Sequence, residues 1–120
     1  MQLHVKGKNL EVSDSIRKYV ERKVGKLDRQ LSRRKDVEVE VEIELAVERN
    51  PSIAENQVAE AIVRLKGHTL RAREASSDMK ASIDELIENL VRQVREERDK
   101  QRSARKTDKQ ALIDPESSER

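Results

Sequence analysis

The chain has no cysteine, no tryptophan and no phenylalanine, and Tyr19 is its only aromatic residue. Without cysteine, disulfides, thiol nucleophiles and Cys-ligated zinc are excluded. Without large aromatics, the core of these 120 residues must be assembled from Val, Ile, Leu and Ala, which suits a thin two-layer fold better than a deep cleft. Three glycines, at positions 7, 25 and 67, are too scattered to cradle a phosphate. No apolar run approaches the roughly 20 residues that span a bilayer, and the start of the chain has no signal-peptide apolar stretch, so a soluble, cytoplasmic protein is expected.

Charge fills the space that apolar residues leave: 42% of residues are Asp, Glu, Lys or Arg. The net charge of +2 conceals a sorted distribution. Residues 1–35 hold eleven Lys/Arg against four Asp/Glu, whereas residues 36–62 hold one against eight. Residues 63–82 are again basic and 83–99 acidic. Such sorting suits a basic surface for a polyanion with an acidic surface elsewhere.

Hydrophobic periodicity sets the elements. Leu3, Val5 and Gly7 alternate with His4, Lys6 and Lys8 and predict a short strand. Ser13 or Asp14 is placed to cap a helix whose apolar stripe is Ile16, Tyr19, Val20, Val24, Leu27 and Leu31. From Val37 to Val47 the period becomes two, with Glu38, Glu40, Glu42 and Glu44 on the outer face. Asn50-Pro51-Ser52 predicts a turn. Ala59, Ala61, Val63 and Leu65 then mark a strand, Lys66-Gly67-His68-Thr69 a hairpin turn, and Leu70 and Ala72 a further strand. Ser76-Ser77-Asp78 opens a last helix with the stripe Met79, Ile83, Leu86, Ile87, Leu90 and Val94. Residues 103–120 are polar and read as a disordered tail or the start of a linker, leaving 1–102 as the domain. The order predicts an α+β class fold, a two-layer β-α-β-β-β-α sandwich with a four-stranded sheet and both helices on one face. Its open face would set the Glu38–Glu44 row against Arg64, Lys66, Arg71 and Arg73.

Wound at about 100° per residue, the first helix places Lys18, Arg22, Lys26, Arg29 and Arg33 on one flank of the stripe. Asp14, Glu21 and Asp28 fall on the other flank, near Arg17. Like charges along one ridge repel by a few tenths of a kcal/mol per adjacent pair, so stability alone does not select them, and a polyanion is the expected partner. On the second helix Glu88–Arg92 and Arg95–Asp99 are spaced as i,i+4 pairs. Lys80 stands in the first turn, where the helix dipole disfavours a cation, which marks it as a binding candidate. Arg71 and Arg73 are expected to pair with strand glutamates. His4 and His68 are isolated, and the alternating glutamates form a sheet face rather than a carboxylate pair in a pocket. No enzyme activity, metal or cofactor is expected.

Three stretches resemble a known family. Gly7-Lys8-Asn9-Leu10-Glu11-Val12-Ser13-Asp14-Ser15-Ile16-Arg17-Lys18-Tyr19-Val20 with Lys23 and Lys26-Leu27 is similar to the opening of the ribosome hibernation promoting factors and the ribosome-associated inhibitor protein Y. Val47-Glu48-Arg49-Asn50 supplies the second. The third is Leu70-Arg71-Ala72, Ser77-Asp78-Met79-Lys80-Ala81-Ser82-Ile83-Asp84 and Leu90-Val91-Arg92-Gln93-Val94. The resemblance covers about residues 1–100 and implies the same fold. It implies binding to the small ribosomal subunit and its rRNA in the channel of mRNA and the A- and P-site tRNAs, with translation silenced in stress or stationary phase. Arg17, Lys23, Lys26 and Arg92 match basic positions of the family motif; Lys18, Arg22, Arg29, Arg33, Lys80 and Arg95 join them from the helix geometry. Two positions depart from the pattern: Lys80 stands where the family usually has Tyr, and Asn89 where it often has Lys. Long members add a domain that pairs two ribosomes, so homodimerisation is expected only with such a domain. A double-stranded-RNA-binding module and a helical oligomerisation protein are the competing readings.

Overall fold

The computed structural model of the chain describes residues 1–32, 38–50, 52 and 54–113, with 101–113 described as helical backbone alone. The elements are β1 (Gln2–Lys8), α1 (Asp14–Leu31), β2 (Glu40–Val47), β3 (Gln57–Leu65), β4 (His68–Ser76) and α2 (Met79–Ile113). The sheet order is β1-β2-β3-β4. β1 runs parallel to β2, reached through the α1 crossover, and β2, β3 and β4 form an antiparallel meander. This is the expected α+β sandwich.

Local chemistry explains the boundaries. Ser13 is the cap of α1: its backbone is extended and its Oγ accepts from the Ile16 amide at 3.2 Å. Asp78 does the same for α2, its Oδ2 accepting from the Ala81 amide at 3.2 Å. β1 ends at Asn9, whose φ of 51° lies in the left-handed region that Asn tolerates better than most residues. The chain then folds back so closely that a Cβ on Gly7 would collide with the Leu10 carbonyl. Gly67, at φ 91°, turns the β3–β4 hairpin.

Inward strand residues and the two helical stripes form one core. Val41, Ile43 and Leu45 of β2 and Ala59, Ala61 and Val63 of β3 pack with Val20, Val24 and Leu27 of α1 and Ile83, Leu86 and Leu90 of α2. All of these belong to a single cluster, so both helices cover the same face of the sheet. Ser82 is the one buried polar residue among those described; its Oγ donates to the Gln57 carbonyl at 2.6 Å and thereby ties α2 to β3.

The open face carries the charge ladder. Arg64 pairs with Glu42 at 3.0 Å and Glu40 at 3.9 Å, Lys6 with Glu44 at 3.5 Å, and Arg73 with Glu60 at 3.2 Å and Glu48 at 3.5 Å. Arg73 thus pairs as expected, whereas Arg71 makes no ion pair among the described residues and Lys66 lies in the turn. Both sheet edges are stopped by helix side chains. Arg17 Nη1 donates to the outward Val5 carbonyl of β1 at 3.4 Å, and Gln93 Nε2 donates to the outward Arg71 carbonyl of β4 at 2.9 Å. Unpaired edge groups invite strand addition by another chain, and these two contacts occupy one on each side.

One expectation changes. β2 begins at Glu40 rather than near Val37, which lies outside the described residues; Val39 is buried ahead of the strand. Val58 is buried although it faces outward, because its row on the open face is Ala46–Val58–Ala75 and the Arg73–Glu48 pair spans it. The helical backbone of α2 runs on through residues 103–113, whose Arg, Lys, Gln and Ala propagate a helix without an apolar stripe. Among the described residues no helix is long and apolar enough to cross a membrane.

Candidate nucleic-acid interface

α1 and α2 lie side by side and run in the same direction, because Tyr19 and Lys23 meet Asp84 while Lys26 stands beside Ile87 and Glu88. The seam between them faces away from the sheet. At its N-terminal end Ser15, Lys18, Tyr19, Arg22 and Lys80 line an open depression of about 460 Å³. Further along, Lys23 and Lys26 line a narrower groove with Asp84, Ile87 and Glu88, of about 130 Å³.

Tyr19 is the hub. Its hydroxyl donates to Asp84 Oδ1 at 2.6 Å across the seam. Arg22, Lys23 and Lys80 stand over its ring at 5.2, 5.5 and 5.3 Å from the centroid, within the range of cation–π attraction. The Asp84 hydrogen bond is the main cause that raises the Tyr19 pKa above its ordinary value of 10.0, followed by burial. Only Lys23 of these cations has a carboxylate partner among the described residues, Asp84 at 3.5 Å.

The sequence-selected residues divide into groups. Lys18, Arg22, Lys23 and Lys80 converge around Tyr19. Lys26 and Arg29 continue the exposed α1 ridge. Arg92 is exposed on α2 and points away from the sheet, and Arg95 leans toward α1 on the helical wheel. Neither Glu88–Arg92 nor Arg95–Asp99 closes into an ion pair. Arg17 is apart from this group, bound to the β1 edge, and Arg33 lies outside the described residues. Chemically, the seam offers several cations, of which Lys23 alone is paired with a carboxylate among the described residues, fixed on two rigid helices and able to meet a chain of phosphates.

A profile of the sigma 54 modulation protein / S30EA ribosomal protein family matches residues 3–102. The chain belongs to this family. Within the S30EA family it is 37% identical over 95 residues to the ribosome hibernation promotion factor of Lactococcus lactis, covering 79% of this chain and 48% of that protein. It is 30% identical over 100 residues to the ribosome hibernation promoting factor of Escherichia coli, covering 83% of this chain and 96% of that one. The chain spans about half the length of its Lactococcus and Picosynechococcus relatives, 48% and 50%. The crystal structure of the Thermus thermophilus Protein Y N-terminal domain superposes with a TM-score of 0.64 at 34% identity, covering 78% of this chain and 96% of that domain.

Against the S30EA pattern, the two departures have different weights. Lys80 brings a cation to the Tyr19 ring where an aromatic was expected. Asn89 faces β4, donating to Glu74 at 3.4 Å and accepting from Gln93 at 2.8 Å, so a lysine missing there leaves the α1–α2 seam unaltered. The Tyr19–Asp84 pair is not legible in the sequence alone. The signals are faint: a lone aromatic at the edge of the α1 stripe with Arg22 and Lys23 one turn later, and an acid on the second helix 65 positions away.

Proposed function

We propose that this domain is a ribosome hibernation module that binds the small ribosomal subunit through the α1–α2 seam and silences translation. It acts by occupying the channel of mRNA and the A- and P-site tRNAs when growth stops, so no chemical step is needed. The observation that carries this reading is the convergence of Lys18, Arg22, Lys23 and Lys80 on one seam, with Lys26 and Arg29 continuing it, in a fold shared with relatives named as hibernation factors. Opposite it, the open sheet face pairs Lys6, Arg64 and Arg73 with its own carboxylates and offers phosphates little. rRNA is the partner in this reading, and ribosome pairing would belong to a further domain.

Co-sedimentation with purified ribosomes and with separated subunits, at two salt concentrations, tests it. Pelleting with the small subunit that is lost at high salt is the expected result. Binding to free duplex RNA without pelleting would replace this reading by a double-stranded-RNA-binding function.

A further inference from the structure

The apolar stripes of α1 and α2 fix both helices to the sheet, but the outer seam has few ties of its own. Among the described residues, one side-chain hydrogen bond crosses it, Tyr19 Oη to Asp84 Oδ1, and one ion pair, Lys23 to Asp84. Both contacts converge on a single carboxylate. Around them Arg22, Lys23 and Lys80 crowd against one ring, and their mutual repulsion works to spread the helices' outer edges. Tyr19 is half-buried, so its hydroxyl is a hydrogen bond to a carboxylate in a partly desolvated place, where such bonds are stronger than between neutral groups.

A purely additive view of charge makes Asp84 a liability. It places a negative group inside a basic seam, and its removal should tighten binding to any polyanion. The geometry gives it a different purpose. We infer that Tyr19 and Asp84 are positioning residues, a clasp that sets the spacing between the α1 cations and Lys80 so that both helices meet phosphates together. Neither residue has to touch RNA for this. The inference rests on the ribosome-binding reading above.

Four proteins decide it: wild type, Tyr19→Phe, Asp84→Ala and Asp84→Asn, compared by pelleting with small subunits at fixed low salt. Tyr19→Phe keeps the ring, its packing and every charge, and removes only the donor. Asp84→Asn removes the charge but keeps an oxygen that accepts from Tyr19. The clasp predicts that Tyr19→Phe and Asp84→Ala each weaken binding by about tenfold, the worth of one good hydrogen bond. Asp84→Asn should bind at least as well as wild type. Additive charge predicts the opposite order, with Asp84→Ala and Asp84→Asn both tighter and Tyr19→Phe unchanged, and that order would overturn the clasp. Equal losses in both Asp84 variants with Tyr19→Phe at wild-type affinity would move the weight to the Lys23 ion pair and overturn it as well. If wild type pellets and all variants match it, the clasp alone fails; if wild type does not pellet, the ribosome reading fails and the clasp with it.

Discussion

Neutralising two ridge cations, Lys26→Ala with Arg29→Ala, should weaken binding by an amount that can be worked out beforehand. Both side chains are exposed and neither makes an ion pair or side-chain hydrogen bond among the described residues, so the substitutions remove charge and little else. Alanine is the best helix former, and the loss of two like-charge neighbours relieves a few tenths of a kcal/mol. The thermal melt should therefore hold or rise slightly. Each phosphate contact contributes about −0.7 to −0.9 to the slope of log affinity against log salt. If Lys26 and Arg29 meet one phosphate each, the slope becomes shallower by about 1.4 to 1.8, and affinity at 0.1 M salt falls about 25- to 60-fold. At 0.3 M the same loss shrinks to about five- to ninefold, because releasing the same counterions into a more concentrated background gains less entropy. Small-subunit binding at four salt concentrations, by sedimentation or fluorescence anisotropy, gives both numbers. A double variant with the wild-type slope would take the ridge out of the contact. Arg64→Ala with Lys66→Ala, on the open face and in the hairpin turn, serves as the control and should leave the slope unchanged.

Further expectations concern the scaffold. Gly7→Ala should destabilise the fold by about 1–3 kcal/mol in urea titration, because its methyl group meets the Leu10 carbonyl and the β1 exit must shift; an unchanged midpoint would mean that the turn is loose. Ser82→Ala leaves the Gln57 carbonyl without its buried donor and should cost about 1–3 kcal/mol, read the same way. Glu42 has its pKa lowered from 4.5, chiefly by the hydrogen bond from Arg64 and then by its charge. A lowered carboxylate pKa contributes stability that is complete above the ordinary value and is lost as pH falls through the lowered one. Acid unfolding curves should show this contribution in wild type and lose it in Arg64→Ala.

How much of this was legible in the sequence depends on the range of the interactions. The run Val39–Val47 announces β2 because a period of two is local, and the α1 ridge is visible because a wheel needs only one helix. The caps at Ser13 and Asp78 follow from side chains that reach three residues along their own chain. What required the fold was every contact between elements distant in sequence. Arg17 looks like a member of the basic set, yet β1 takes it for its edge. Lys80 gains its ring only when α2 lies against α1. Asn89 counts as a missing lysine on a wheel, until β4 proves to be the element it faces. Val58 breaks the inward parity of its strand because an arginine two strand-rows away covers it.

The parallel pairing of β1 with β2 has a kinetic consequence. The meander β2-β3-β4 closes through short connections, whereas the β1–β2 register joins Gln2 to Glu40 and can form only after the whole intervening crossover has found its place. Loops of that length cost entropy before any contact rewards them. β1 and α1 are therefore expected to dock last, on a nucleus made by the meander and α2. The ridge of α1 and the Tyr19 ring arrive with that final step. A chain caught halfway would already have a sheet and a long helix but not the proposed phosphate-binding surface, so in this reading folding itself gates when the molecule becomes competent to bind.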